Sequence, residues 1–344
     1  MKEKYYCGLD LVKLFCAILV VCIHTEPFLS VSPALNSLTV NYLCRVAVPF
    51  FFISSGFLAF RKNGRGVCGY IKKLLKLYLI WSVVYFPLTM RVMKWAYGAG
   101  GMDAALRVLL NWAKNMIFSA GYGVLWYLPA TIVAVGIVWL LQKWGLRLRG
   151  VICVGALLYC VGLLGQSYFG LITPLRAYPA LWNALRAVYH LIGTTRNGVF
   201  EGVIFIALGA QLAQSGRRIP LRRALFGFAV SMLALLGEIA LVTWLEWKLA
   251  YDMYLMLVPS VLFLMLAALN MPDFNVRLCK TLRPYIALIY FSHMLFVELW
   301  RLTPLREANS LLFFGATLAG TVAFDTLIIR LSRTRRFAFL NNLF

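Results

Sequence analysis

The chain contains few charged residues and very few acidic ones. Only 13% of its 344 residues are charged, and 12 Asp and Glu stand against 34 Lys and Arg. Soluble domains carry about 25% charged residues. Hydrophobic residues make up 62% of the chain and occur in long runs with few charges, which is typical of transmembrane helices. The composition excludes an ordinary soluble domain and predicts a polytopic membrane protein whose partner is the lipid bilayer.

Close cysteine pairs are also missing. The eight Cys residues include no CxxC pair, and none falls in a segment predicted below to be extracytoplasmic. Neither a disulfide framework nor a cysteine zinc site is indicated. We therefore assign no metal site.

Ten apolar stretches predict ten spans in a single domain over residues 1–344. They run roughly over 9–29, 38–60, 72–90, 122–141, 150–166, 197–214, 224–247, 254–271, 285–300 and 310–330. Segment 101–118 is amphipathic and carries Arg107 and Lys114, which predicts an interfacial helix. No small-residue cleavage site follows the first apolar run, so we expect this span to be retained. The expected fold is an all-α polytopic transmembrane bundle.

The basic residues predict the orientation of this bundle. With the N-terminus inside, Lys2, Lys4 and the inner segments hold 21 of the 34 basic residues, and the outer segments hold 10. The inner segments are RKNGRGVCGYIKK, QKWGLRLR, SGRRIPLRR, PDFNVRLCKTLR and RLSRTRR. Cytoplasmic loops of membrane proteins carry such an excess, so both termini are expected in the cytoplasm. The same bias accounts for most of the net charge of +22, and we expect no nucleic-acid partner.

Span 1 carries polar residues at two depths. A charged group at mid-membrane costs a few kcal/mol or more, so each one needs a partner or a function. Lys13 and His24 are eleven residues apart, which is about 16 Å along a helix and about three turns, so they share nearly one face. In the predicted orientation Lys13 lies near the cytosolic end, and His24 lies near the outer end, just before Glu26. That face is expected to line a polar interior.

Other spans place polar or aromatic residues near the predicted level of His24. These are Arg45, Trp126, Tyr127, Asn197, Glu201 and His293. An arginine at this depth needs an anion or a water-filled cavity. We expect these side chains to converge in the outer half of one bundle. A structural histidine, an Arg45–Glu201 salt bridge and an aromatic belt at Trp126 and Tyr127 remain open alternatives.

Five stretches together resemble the acyltransferase 3 family of integral membrane acyltransferases. They are LDLVKLFCAILVVCIH, RVAVPFFFISSGFLAFRK, LWYLPATIVAVGIVWLL, TTRNGVFEGVIFIALGA and YIALIYFSHMLFV, in the family's order over most of the chain. The RNG–FEG stretch is also similar, more loosely, to the membrane module of the serine racemases of vancomycin resistance. Those proteins carry a soluble racemase domain after the membrane part. This chain ends fourteen residues after its last predicted span, so we expect no racemase activity from it.

The resemblance implies a reaction, a location and two site residues. The family moves acyl groups, often acetyl, from a cytoplasmic donor, here expected to be acyl-CoA, to a hydroxyl of an envelope sugar, peptidoglycan or other acceptor outside the bacterial cytoplasmic membrane. It implies that His24 is catalytic and that Arg45 is an essential site residue. Lys13 stands where many members have Arg, which keeps the charge but loses the bidentate geometry. No tightly bound cofactor is expected.

Acyl transfer to a hydroxyl needs a base, oxyanion stabilisation and exclusion of water. His24 is the predicted base, oriented by Glu201 or Glu26, and Arg45 would stabilise the oxyanion or hold an acidic acceptor. The predicted substrate-binding residues are Lys13, Glu26, Trp126, Tyr127, Asn197 and His293. A transporter of a small polar solute, for example an amino acid, also suits such a polar cluster, and a non-catalytic envelope scaffold is a third reading. The acceptor and the oligomeric state are not determined by the sequence.

Overall fold

The structure, a computed structural model, describes residues 5–61, 64–118, 122–216, 219–272 and 275–344. Within these ranges the chain forms helices and no strand, which confirms the all-α prediction. The α-helices are α1 (Cys7–Thr25), α2 (Pro33–Val40), α3 (Ala47–Phe60), α4 (Val67–Phe118), α5 (Tyr127–Lys143), α6 (Leu148–Leu163), α7 (Pro179–Ile192), α8 (Val203–Ser215), α9 (Leu221–Trp244), α10 (Leu257–Asn270), α11 (Val276–Trp300), α12 (Leu305–Ala308) and α13 (Ser310–Ser332). A π-helical turn, Gly198–Gly202, leads into α8.

Six helical stretches of the described residues are long and apolar enough to cross a membrane. They are Cys7–Thr25, Pro33–Phe60, Gly123–Lys143, Gly198–Ser215, Leu221–Trp244 and Ser310–Ser332. The helices α6 and α10 are apolar but shorter. Each of the ten predicted spans is mainly helical, but the second, 38–60, is not one continuous α-helix. It contains the end of α2, a 3₁₀ turn at Leu43–Val46 that carries Arg45, and α3. The number that cross the membrane stays a prediction.

The predicted span 72–90 belongs to a longer helix. Helix α4 begins at Val67 and remains helical until Gly100 and Gly101, where the φ of Gly101 is 69°. Arg91 and Lys94 end the apolar run, but they do not end the helix, because Arg and Lys are good helix formers. Glycine adopts a positive φ without steric cost, so the break falls at the glycine pair. The predicted interfacial helix is the part of α4 beyond this break.

Helix α7 has no counterpart among the predicted spans. It is amphipathic, with Leu181 and Val188 exposed and with Arg186 among its polar residues. In a helix with one apolar face, polar residues interrupt the apolar ones along the sequence. The search for long apolar runs therefore does not detect α7.

Helices α3 and α8 pack with their backbones in contact. A Cβ atom added to Gly56 would overlap the carbonyl oxygen of Ile206, and one added to Gly209 would overlap that of Ile53. Only glycine permits this approach. The contact ties together the two helices whose leading ends carry Arg45 and Glu201.

Part of the predicted cytoplasmic surface lies outside the described residues. This part includes Lys2, Lys4, Lys62, Arg217 and Arg218. In the predicted outer segments, the side chain of Lys114 is not described either. The orientation and the single domain over 1–344 stay predictions.

Candidate functional site

A small cavity at the end of α1 brings together side chains from distant parts of the chain. Its volume is about 200 Å³. The polar and aromatic residues in its lining are His24, Arg45, Trp126, Arg196, Glu201, Asp252 and Tyr290. Four of these, His24, Arg45, Trp126 and Glu201, are predicted site residues. Arg196 and Asp252 are two further charged residues that the sequence analysis did not select.

The end of α1 places His24 at this cavity. Glu26 adopts a left-handed conformation, with a φ of 50°, and its backbone N–H donates to the carbonyl of Cys22 at 2.9 Å. Pro27 follows and cannot donate a backbone hydrogen bond. Helix α1 therefore ends at Thr25, one residue after His24. Among the described residues, nothing hydrogen-bonds the half-buried His24 ring, so the imidazole is available to a substrate.

His293 packs against His24. The two ring centroids are 5.3 Å apart, and His293 is fully buried. Its Nδ1 lies 2.9 Å from the carbonyl oxygen of Ile289. Because a carbonyl can only accept, Nδ1 carries the hydrogen and Nε2 presents a lone pair. That Nε2 is buried and has no hydrogen-bond partner among the residues that the structure describes. His293 contacts the candidate base and does not belong to the cavity lining.

Asp252 bridges two arginines. Its Oδ1 lies 2.5 Å from Nη1 of Arg45 and 3.1 Å from Nη1 of Arg196. Arg45 also donates from Nη2 to Oδ1 of Asn41 at 2.9 Å. Within the described part of the chain no ion pair joins Arg45 to Glu201. The Arg45–Glu201 salt bridge left open by the sequence is therefore replaced by the pair with Asp252.

The link between α9 and α10 holds Asp252 in place. The next four residues are all anchored by hydrogen bonds. The carbonyl of Met253 accepts from Ser167 Oγ at 2.5 Å, and the carbonyl of Tyr254 accepts from Tyr159 Oη at 2.8 Å. The Glu238 carboxylate accepts from the backbone N–H groups of Leu255 and Met256, at 2.6 and 2.8 Å. Hydrogen bonds from backbone N–H groups to a carboxylate are among the stronger ones in proteins. The link is thus a fixed support for Asp252.

The RNG–FEG stretch forms the wall that carries Glu201. Oδ1 of Asn197 accepts from the backbone N–H groups of Val199 and Phe200, at 2.9 and 3.0 Å, and so caps the π-helical turn. A Cβ atom on Gly198 would overlap the backbone of Ala130, so glycine is required there. Glu201 is 2% exposed, and in the described part of the chain its Oε2 has no hydrogen-bond partner. Such π-helical turns are frequent at functional sites, and this one presents an unpaired carboxyl group to the cavity.

A larger cleft adjoins the cavity. Its volume is about 1000 Å³, and it shares Gly123, Trp126 and Arg196 with the cavity lining. The guanidinium carbon of Arg196 lies 4.7 Å from the centroid of the Trp126 indole ring, which is cation–π geometry. Asn197 lines the cleft as well. The cleft is large enough for a small-molecule substrate to approach His24.

Besides His293, three predicted substrate-binding residues are absent from the lining of both spaces. The hydroxyl of Tyr127 lies 2.7 Å from Ser55 Oγ and donates to the carbonyl of Phe51 at 3.0 Å, which joins α5 to α3. Lys13 lies on α1 toward the opposite end of the helix. Glu26 ends α1, two residues after His24. The proposed roles of these three residues stay predictions.

A weak sequence signal existed for the two missed residues. Asp252 is one of only 12 acidic residues in the chain, and each acidic residue is a candidate partner for a buried arginine. Arg196 belongs to the TTRNG stretch and directly precedes the predicted site residue Asn197. Among the described residues, no group of three or more His, Cys, Asp or Glu side chains is placed to hold a metal ion.

The fold and site define an integral membrane protein with a polar site inside a helical bundle. The chain belongs to the acyltransferase 3 family, whose acyltransferase domain it matches over residues 7–330. This confirms the resemblance found in the sequence, and the domain is that of a membrane acyltransferase.

Three curated relatives bear racemase names. One amino-acid racemase of Enterococcus faecalis is 30% identical over 263 residues, which cover 76% of this chain and 35% of the relative. A second amino-acid racemase from the same species is 28% identical over 343 residues, which cover 96% of this chain and 47% of the relative. A serine/alanine racemase of Enterococcus gallinarum is 31% identical over 273 residues, which cover 76% of this chain and 36% of the relative. The chain thus spans about a third to a half of the length of these relatives. No solved structure matches it.

Proposed function

We propose that the protein transfers an acyl group, acetyl in the simplest case, from acyl-CoA to a hydroxyl of an acceptor in the cell envelope. The donor is on the cytoplasmic side of the bacterial cytoplasmic membrane. The acceptor is a sugar, peptidoglycan or a related molecule on the outer side. The observation that carries the proposal is an unpartnered imidazole, that of His24, beside a large cleft in a chain of an acyltransferase family.

The proposed reaction begins with His24 as general base. Its imidazole takes the proton of the acceptor hydroxyl as the oxygen attacks the thioester carbonyl. Arg45 lies at the same cavity and stabilises the oxyanion of the tetrahedral intermediate. The intermediate collapses, the carbon–sulfur bond breaks, and the CoA thiolate takes the proton from the imidazolium. Glu201, with its free carboxyl oxygen, stabilises the imidazolium while it exists.

The two ends of α1 support the sidedness of this proposal. Lys13 is about 16 Å from His24 along the helix axis and offers a positive charge to the phosphates of the donor. The cleft adjoins the cavity that His24 lines, and the acceptor enters through the cleft. The thioester of the donor then reaches from the Lys13 end to His24, where the acceptor hydroxyl attacks it. No resident cofactor is needed for this chemistry.

A carrier for a small polar solute such as an amino acid is the second candidate. The amino-acid racemase names of the matched relatives favour it, and buried His, Arg and carboxyl groups also occur in proton-coupled carriers. A carrier moves its solute without consuming a thioester. This difference separates the two candidates.

The separating experiment uses the purified chain in lipid vesicles. Acetyl-CoA and envelope glycan fragments are added, and free CoA is measured with a thiol reagent. We expect CoA release that depends on the glycan and that is lost in His24→Gln. The same vesicles are tested for uptake of labelled serine. Uptake without CoA release would contradict the transferase and favour the carrier.

A further inference from the structure

The cavity and the cleft meet at a point of positive charge. Arg196 lines both spaces, and it shares its counter-ion, Asp252, with Arg45 through a single oxygen atom. Glu201 forms no ion pair with either arginine in the described part of the chain. Two guanidinium groups therefore share one ion-paired carboxylate at the junction, while the buried Glu201 carboxyl lines the same cavity without pairing with them. The Arg196 side chain is still 38% exposed, so it can contact a ligand in the cleft.

Besides Arg196, the cleft lining contains one more arginine, and the carboxylate in the described lining is already ion-paired. Arg91 is exposed and belongs to the lining. The acidic residue in the described lining is Glu298, and Arg301 holds its carboxylate at 2.6 Å. Clefts lined by charge of one sign concentrate ligands of the opposite sign. The electrostatics of this cleft therefore favour an anionic ligand.

The remaining lining suits a ring-shaped polar molecule. Its aromatic and amide side chains are Trp95, Trp112, Tyr122, Trp126, Asn111 and Asn197. Aromatic faces cover apolar ring surfaces, and amides donate and accept hydrogen bonds. Because the cleft measures about 1000 Å³, it accommodates a molecule larger than one sugar ring.

We propose that the acceptor is an anion whose carboxylate or phosphate group binds Arg196. This inference rests on the proposed acyl transfer. The acidic group occupies the junction, Arg91 adds attraction along the cleft, and a hydroxyl of the acceptor reaches His24. A guanidinium group pairs with carboxylate or phosphate through two parallel hydrogen bonds. Arg196 is then the residue that selects the acceptor and orients its hydroxyl.

The test measures binding first, and then acylation and CoA release with the same sugars. The full chain in lipid nanodiscs is titrated with two matched pairs of sugars and followed by calorimetry. One pair is a glucuronate-containing oligosaccharide and its carboxyl-reduced form. The other is a sugar phosphate and its dephosphorylated form. We expect at least one acidic member to bind about tenfold or more tightly than its neutral partner, and the pair that shows this preference identifies the anion.

Two variants locate the effect. Arg196→Gln is expected to abolish the preference while neutral sugars still bind, which shows that the variant is folded. Arg176→Gln is the matched control, because Arg176 also lies over an indole ring, that of Trp182 at 5.2 Å, but is not among the lining residues of the cleft or the cavity. This control is expected to keep the full preference.

Three outcomes decide between the proposals. Equal binding within both pairs, or a preference that survives in Arg196→Gln, would overturn the anion site. Equal acylation of acidic and neutral acceptors would also overturn it and would leave acyl transfer intact. Selective binding of acidic sugars that is lost in Arg196→Gln, with no CoA release for any acceptor, would support the anion site and contradict the proposed acyl transfer.

Discussion

At the residue scale, the site depends on one carboxylate that serves two guanidinium groups. Asp252 contacts Arg45 and Arg196, and its side chain is 23% exposed. Without it, the two arginines would repel each other and leave their positions. The proposed stabilisation of the oxyanion by Arg45 and the proposed binding of the acceptor by Arg196 would then both be lost.

We predict that Asp252→Asn slows acyl transfer by about tenfold or more, because a neutral amide cannot balance either arginine. The free energy of unfolding should also fall, by about 1–3 kcal/mol, since partners of a charge-assisted bond are left unsatisfied. CoA release and thermal unfolding of the purified chain measure the two effects. Asp103→Asn, at an exposed position on α4, is the control and should match the wild type. Activity of Asp252→Asn equal to that of the control would refute the role of Asp252.

The sequence predicts part of this site because topology determines depth. Residues His24, Arg45 and Glu201 lie near the ends of apolar runs, so counting along the runs places them at one level. Asp252 lies in a link between two helices, and a link has no periodicity that fixes where its side chains point. Its position depends on hydrogen bonds from Tyr159, which is far away in sequence.

At the element scale, the contact between α3 and α8 controls the distance between Arg45 and Glu201. The glycines Gly56 and Gly209 let the two backbones touch. The residues before each helix, a 3₁₀ turn at Leu43–Val46 and the π-helical turn, then present their side chains to one cavity. Any substitution that separates the helices also opens the site.

We predict that Gly209→Ala destabilises the chain by about 1–3 kcal/mol, as overpacking does in other cores, and reduces CoA release as well. Its Cβ would overlap the backbone of Ile53, which cannot move without displacing α3. Gly136→Ala on α5 is the matched control, because an added Cβ there meets nothing within 4 Å. Thermal unfolding in detergent compares the two variants. Equal midpoints would show that α3 and α8 are not packed this closely.

The elements themselves were largely predictable. Long apolar runs indicate helices, and each predicted span is mainly helical, although the span 38–60 is divided between α2, a 3₁₀ turn and α3. Helix α7, the extension of α4 past Arg91 and the π-helical turn at Gly198–Gly202 were not predicted. The turn depends on the fit of Gly198 against Ala130 and on the cap from Asn197, which are tertiary contacts and leave no apolar pattern.

At the scale of the whole molecule, the bundle is an all-α membrane acyltransferase domain with its polar site near one end. His24, the cavity and the cleft lie at that end, and Lys13 lies toward the other. The predicted orientation turns these two ends into an acceptor side and a donor side. Basic loops predict this orientation, but they do not show how an acyl group passes between the ends.

The central claim is that the acyl group crosses from a donor inside to an acceptor outside through His24. The direct measurement uses right-side-out membrane vesicles that contain the protein, with labelled acetyl-CoA enclosed and envelope glycan fragments only outside. We expect label on the external glycan, reduced about 100-fold or more in His24→Ala, with the variant present in the membrane at the wild-type level. Label that appears only when donor and acceptor share one side, or that is undiminished in His24→Ala, would contradict it.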